Sequence, residues 1–185
     1  MDQKTNAQAP GKREIVDSLD REFARLHVNS CAAIEHTPAE ILYVVPSPSE
    51  RFAARAGVVS KSPEPSSLSS VGESVLRSAA AIEQTFGGIT ANLWDDPFEW
   101  TLPEYLSTPA KINEHLAEVE ATRRLAFASF ADDASLRKYV AVPSGETRPL
   151  IDLLSDTLLR AADYQAQALL ALKTLSGNRP LRFII

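Results

Sequence analysis

The chain has 185 residues, 44% hydrophobic and 23% charged, which is typical of a single soluble globular domain. Its formal net charge of −5 argues against a nucleic-acid binder, which needs clustered lysine and arginine, and disfavours attraction to an anionic membrane surface. The single cysteine excludes an intramolecular disulfide and a CxxC metal knuckle. The first dozen residues lack the apolar core of a secretory signal, and no run approaches the ~20 apolar residues that span a bilayer, so we expect a cytoplasmic protein.

The N-terminal part of the chain predicts a flexible tail followed by a long helix. Residues 1–11 are polar and form the tail. Residues 12–36 carry apolar side chains at helical spacing, from Ile15 through Phe23 to Ile34, with charged residues between them. This segment is therefore predicted to be an amphipathic helix with one face buried in a core.

A short turn and a long connection are predicted to follow the first helix. Thr37, Pro38 and Glu40 have the pattern of a helix start, in which the Thr37 side chain accepts from the backbone N–H of Glu40. Residues 46–69 combine several prolines with many serines, which cannot sustain a helix. We expect a long surface connection there.

The second helix is predicted from signals at both of its ends. Ser70 and Glu73 form a capping box at its start, and the pair Gly87–Gly88 is expected to end it. An aromatic stretch with helix-breaking prolines follows, and its aromatic residues are Trp94, Phe98, Trp100 and Tyr105.

The third helix is predicted to begin where Thr108 provides an N-cap and Pro109 occupies the first helical position. Its apolar face continues to Phe130. One charged residue, Arg123, falls on that face.

The remaining residues predict a connection and a fourth helix. Residues 132–148 form the connection, with an extended piece over residues 139–142, and residues 149–175 have the periodicity of a helix. Residues 177–185 are left as a C-terminal tail. Four amphipathic helices can bury their apolar faces only against one another, so we predict an all-α four-helix bundle over residues 12–176.

Several tracts resemble the DinB/YfiT-like superfamily. They are the serine-opened helix at residues 70–76, the tract at residues 79–84 and the last helix at residues 153–167, and the order of elements also agrees. The resemblance implies an up-down-down-up four-helix bundle with long loops, commonly a homodimer. It also implies, in many members, a divalent metal held by three histidines, and the superfamily includes hydrolases and thiol-dependent transferases.

The histidines of that metal site are missing from this sequence. The family positions fall near Arg77 in the second helix and near Arg160, Asp163 or Tyr164 in the last. Arginine cannot ligate a cation, and a lone Asp163 is too weak a donor set for a transition metal. We therefore expect no metal and no other cofactor.

A new ion pair is the predicted replacement for the metal. The fork of the Arg77 guanidinium suits a carboxylate, and Asp163 or Asp156 could supply it. The alternative interpretation is that these side chains are separate, solvated surface charges.

Two functions follow from the resemblance. The first is a binding or structural module without the metal, assembled as a homodimer, since the apolar tail at residues 183–185 needs cover. The second is a metal-dependent hydrolase or thiol (S-)transferase of the DinB/YfiT type, with atypical ligands drawn from His27, His115 and Asp163.

A third function, a carrier of a small ligand, follows from the aromatic stretch. Such a carrier would have a pocket at the mouth of the bundle, lined by Trp94, Trp100, Tyr105 and His115. The alternative is that these aromatic rings pack over the core or at a contact between subunits.

Overall fold

The computed structural model of the protein describes residues 11–46, 69–97 and 105–176. These residues are mostly helical, which confirms the all-α prediction at that level, and a small two-stranded sheet is added to the helices. The predicted tails, except Gly11, and residues 47–68 of the predicted connection lie outside the described residues. The long helices are α1 (Glu14–Glu35), α2 (Val71–Ala91), α3 (Pro109–Ser129) and α4 (Leu150–Ser176).

Shorter elements lie between the helices. The predicted extended piece is a strand, β1 (Tyr139–Ala141), which pairs antiparallel with β2 (Thr147–Pro149) directly before α4. Short 3-10 helices cover Ala39–Ile41 and Asp133–Arg137. Within the described ranges, no helix has both the length and the apolar character that crossing a membrane requires.

Two helix starts are those that the sequence predicts. The Ser70 hydroxyl accepts from the backbone N–H of Glu73 at 3.2 Å, which caps α2. The Thr108 hydroxyl accepts from the backbone N–H of Lys111 at 3.4 Å, and Pro109 is the first residue of α3. These signals are local in sequence, so they can be recognised without knowledge of the fold.

The predicted end of α2 is wrong. The helix continues through Gly87 and Gly88 to Ala91, and it ends at Asn92, whose φ of 55° is left-handed. Gly88 lies inside the helix, and the Trp94 ring packs against it: a Cβ added at Gly88 would lie 2.4 Å from that ring. The glycine therefore serves a close approach and not a helix stop.

Two details of the N-terminal segment also differ from the predictions. The Thr37 hydroxyl does not cap a new helix, because it donates to the carbonyl oxygen of Ala33 at 2.6 Å, at the end of α1. Ile15 is 52% exposed and Val16 is fully buried instead. A shift of one residue turns a helix face by about 100°, so the start of α1 is rotated relative to the predicted face.

Contacts between the helices define their directions. The Ser78 hydroxyl of α2 donates to the Ala161 carbonyl of α4 at 3.0 Å, and the hydroxyls of Thr85 and Thr157 are hydrogen-bonded at 2.7 Å. The residue number rises along α2 while it falls along α4, so these two helices are antiparallel. They also form the most extensive contact between two helices in the described structure.

The helices α1 and α4 begin at the same end of the molecule. The Asp133 carboxylate accepts from the backbone N–H groups of Ile15 and Val16, at 3.0 Å each, and so caps α1. The same turn leads to Lys138, whose carbonyl accepts from the N–H of Leu150 at the start of α4. Since α3 ends just before this turn, it runs antiparallel to α1.

The four helices enclose one apolar core. Its centre is a cluster of aromatic rings from three helices: the Phe23 ring lies 5.2 Å from Phe86 and 5.8 Å from Phe127, measured between ring centroids. The fourth helix contributes the fully buried Leu154 and Leu172. Burying each such side chain stabilises the fold by about 1.5–3 kcal/mol, so this cluster fixes the helices around it.

Candidate functional site

Two adjoining cavities open between α2 and α4. The larger has a volume of about 270 Å³ and the smaller about 50 Å³, and Gln84 and Arg160 line both. We call the two together the α2–α4 cleft. Its larger part is further lined by Trp94, Val142, Pro143, Arg148, Leu153 and Thr157, and its smaller part by Arg77, Asp96 and Tyr164.

One wall of the cleft is the ring of Trp94. It packs on Gly88, where the absence of a side chain leaves room for the ring. The Gln84 amide donates to the carbonyl oxygen of Trp94 at 3.0 Å, and the indole N–H donates to the Asn92 side chain at 3.2 Å. These contacts hold a flat apolar surface at the edge of the cleft.

Charged groups of the cleft are paired in different ways. Arg148 donates to Asp156 at 2.6 Å, and this hydrogen bond raises the pKa of the Arg148 guanidinium. Arg77 forms an ion pair with Glu73 at 3.0 Å. Arg160 is exposed, and among residues 11–46, 69–97 and 105–176 it takes part in no ion pair or hydrogen bond between side chains.

The partners of these charges differ from the predicted ones. Arg77 contacts Glu73, one turn earlier on its own helix, in place of Asp163 or Asp156. Asp156 contacts Arg148 of β2, and Asp163 accepts from the Gln167 amide at 2.9 Å. The predicted pair across the cleft is corrected on this ground: a carboxylate four residues away on the same helix face is already within reach of the guanidinium.

Three positions that the resemblance assigns to metal ligands come together in space. Arg77, Arg160 and Tyr164 line the smaller cavity, while Asp163 is exposed and bound to Gln167. A guanidinium carries only N–H donors and stays protonated, so it offers no lone pair to a cation. The residues at this place therefore do not fit a divalent metal.

His115 lies away from the cleft and next to a carboxylate. Its Nε2 is 3.7 Å from Oε2 of Glu83, and both atoms are buried without a hydrogen-bond partner in the described structure. Burial raises the pKa of Glu83; His115 opposes this effect, and Glu118 adds to it. His115 therefore forms a half-buried contact between α2 and α3. It does not line the cleft, whereas the sequence predicts it among the pocket residues.

The three atypical ligands proposed for a metalloenzyme have separate neighbours. His27 lies 3.7 Å from the Cys31 sulfur, His115 lies beside Glu83, and Asp163 lies beside Gln167. Burial raises the pKa of the Cys31 thiol, so a thiolate is disfavoured there. In the part of the chain that the structure describes, no three His, Cys, Asp or Glu side chains are grouped so that they could hold a metal ion.

Of the predicted pocket residues, the structure places one in the cleft. Trp94 lines it, Tyr105 is 73% exposed, and Trp100 lies outside the described residues. Sequence reasoning missed Gln84 and Arg148. Gln84 follows Arg77 by seven residues, a spacing that places both on one helix face, so this signal was readable. Arg148 belongs to β2 of the hairpin, and helical periodicity in the sequence gives no sign that this residue lines the cleft.

Comparisons with the models of known protein families, with curated proteins and with solved structures give no match for this chain.

Proposed function

We propose that this chain is a DinB/YfiT-like four-helix bundle without the family's metal, and that it acts as a binding module for a small organic molecule. The α2–α4 cleft is the observation that carries the proposal. It combines an aromatic wall, apolar side chains from the hairpin and from α4, and an arginine that other charges leave unpaired among the described residues. Clefts of this composition are the usual sites of small ligands.

The resemblance draws support from the helix directions and from the place of the cleft. The order α1 up, α2 down, α3 down and α4 up follows from the contacts between the helices. Arg77, Arg160 and Tyr164, three of the four residues near which the resemblance puts the metal ligands, line one cavity. Arginines at these positions favour a binding module over the alternative, a metal-dependent hydrolase or thiol transferase.

The fluorescence of Trp94 tests the proposed function. In a Trp100→Phe variant, Trp94 is the remaining tryptophan. We expect short acyl and aromatic compounds to change its emission and to raise the melting temperature, because a ligand that binds only the folded state stabilises it. If a panel of such compounds changes neither quantity, the protein is not a small-molecule binder of this kind.

Metal analysis discriminates between the proposal and its alternative. We expect protein purified without chelators to contain no stoichiometric zinc, nickel or iron. Stoichiometric metal that is lost when His115 or Asp163 is replaced would support the enzyme instead.

A homodimer belongs to the same proposal. Two leucines on the outer side of α4 are exposed, Leu159 at 71% and Leu170 at 49%, and a second subunit could cover them. Light scattering should give twice the 20.2 kDa mass of one chain. A mass of one chain at high protein concentration would contradict the dimer.

A further inference from the structure

We infer that the ligand of the α2–α4 cleft is a small organic carboxylate, held at its anionic group by Arg160 and at its apolar body by Trp94. This inference rests on the proposed function and adds the chemical class of the ligand. It is carried by the pairing of the charges around the cleft and by the distribution of apolar side chains within it.

The charges favour an anion over a cation or a neutral molecule. Asp156, a carboxylate at the larger cavity, is engaged by Arg148 at 2.6 Å in a solvent-exposed ion pair. Arg160 lines both cavities, beside Asp96 in the smaller and Asp156 in the larger, and among the residues that the structure describes it forms an ion pair with neither carboxylate. A guanidinium donates along two parallel directions that match a carboxylate.

The apolar lining favours a ligand with a hydrophobic body. Trp94, Val142, Pro143 and Leu153 line the same cavity as Arg160. An inorganic anion would leave these surfaces in contact with water, whereas an aryl or acyl group would cover them. The indole N–H donates to the Asn92 side chain and Gln84 donates to the backbone carbonyl of Trp94, so little ordering of this wall is needed on binding.

The dimensions of the cleft limit the size of the ligand. A volume of about 270 Å³ is close to the lower bound of ordinary ligand pockets, which begin at about 300 Å³. A single aromatic ring or a short acyl chain with one carboxylate therefore suits it better than a nucleotide or another large cofactor.

A pair of matched compounds tests the inference. Para-fluorophenylacetate and para-fluorophenylacetamide have nearly the same shape, but only the first is an anion at neutral pH. Fluorine NMR of each compound, titrated with the full chain, gives the two dissociation constants. We expect the carboxylate to bind about tenfold more tightly, since a hydrogen bond to a charged group exceeds one between neutral groups.

Two arginine variants separate the role of Arg160 from a general effect of charge. Arg160→Gln should weaken the binding of the carboxylate about fivefold or more and leave the binding of the amide nearly unchanged. The expected reduction is moderate because Arg160 is exposed and its charge is screened by solvent. Arg124→Gln removes the same charge from an exposed position on α3, outside the cleft, and should change neither constant.

The possible results separate the inference from the proposed function. Equal binding of the two compounds, or no effect of Arg160→Gln, would contradict the inference that the ligand is a carboxylate. The proposal that the cleft binds a small molecule would then still stand. Absence of binding by both compounds and by the whole acyl and aromatic panel would overturn the proposed function as well. Equal losses in Arg160→Gln and Arg124→Gln would show a general effect of charge and would also contradict the inference.

Discussion

A buried arginine connects two helices of the core. Arg123 of α3 is 3% exposed, although it carries a charge. Its guanidinium donates two hydrogen bonds of 2.7 Å to Glu120, contacts the Asp20 carboxylate of α1, and lies 5.4 Å from the centre of the Phe127 ring. Burial by itself lowers the pKa of Arg123, but the hydrogen bonds to Glu120 and Asp20 outweigh it and raise the pKa.

Replacing Arg123 should strongly destabilise the protein. In Arg123→Met, Glu120 loses its buried partner, and such a loss typically costs about 3–5 kcal/mol. We expect a cost near 3 kcal/mol, because Asp20 is partly exposed and can be rehydrated. Urea denaturation measures the change. The neighbouring Arg124→Gln, at an exposed position, should stay within about 0.5 kcal/mol, and equal stability of both variants would mean that Arg123 does not link α1 to α3.

The raised pKa of Glu83 predicts how stability depends on pH. A carboxyl whose folded-state pKa lies above its unfolded value of 4.5 binds its proton more tightly in the folded protein. Its contribution to stability is therefore complete below that unfolded value and is lost as the pH rises through the folded pKa. The ionised form of the partly buried Glu83 is therefore less favourable in the folded protein than in the unfolded chain.

Glu83→Gln should remove this pH dependence. The stability of the wild type relative to Glu83→Gln, from urea denaturation at several pH values, should increase as the pH falls from neutral towards the unfolded pKa of Glu83. His115 lowers the pKa of Glu83, and in a His115→Gln background Glu118 is the remaining charged neighbour that shifts this pKa. The change with pH in the stability difference that Glu83→Gln produces should therefore be larger in that background. A difference that is independent of pH in both backgrounds would contradict the raised pKa.

At the scale of a single element, α2 determines the shape of the cleft. The helix carries Arg77 and Gln84 on its cleft side, and Gly88 near its end accepts the ring of Trp94. The left-handed residue Asn92 then turns the chain so that Trp94 folds back over the helix that precedes it. One wall of the cleft thus comes from the residues that end α2.

Gly88→Ala should displace this wall. The added methyl group would lie 2.4 Å from the Trp94 ring, a distance that requires the ring to move. We expect altered emission of Trp94 in the Trp100→Phe background and weaker ligand binding. Gly87→Ala is the control variant. It should have a smaller effect than Gly88→Ala, since its added Cβ would lie 3.1 Å from the Leu93 carbonyl oxygen.

A Trp94→Ala background provides the control for Gly88→Ala. With the ring removed, alanine at position 88 should stabilise the helix, because glycine inside a helix costs about 1 kcal/mol relative to alanine. If Gly88→Ala destabilises the protein equally with and without the ring, the contact with Trp94 is not the reason for the glycine.

At the scale of the whole molecule, the sequence predicts what depends on nearby residues and misses what depends on distant ones. Periodicity located the four helices, and Ser70 and Thr108 located two of their starts. The end of α2 was missed because Gly88 is fixed by Trp94, a ring beyond the helix. Helix periodicity also placed Arg123 on the buried face of α3, but its carboxylate partner Asp20 lies more than 100 residues earlier and could not be predicted.

The candidate site follows the same division. The resemblance names Arg77, Arg160, Asp163 and Tyr164; three of these side chains line the smaller cavity, and Asp163 does not. Their contacts were not predictable, because Arg77 has Glu73 within reach on its own helix while Asp156 is engaged by β2. The hairpin contributes to the cleft through Val142 and Arg148, and the sequence indicated only one of its strands.

The walls of the cleft differ in local stability, because one of them is the hairpin of β1 and β2. Its strands have three residues each, and such a pair has little stability of its own, whereas the opposite walls belong to long helices anchored in the core. The amide protons of the hairpin, among them the N–H of Val142 bonded to the Glu146 carbonyl, should thus exchange with deuterated solvent much faster than those of α4. A ligand bound against Val142 and Pro143 would slow that exchange. Hydrogen–deuterium exchange of the hairpin can therefore detect the binding of an unlabelled ligand.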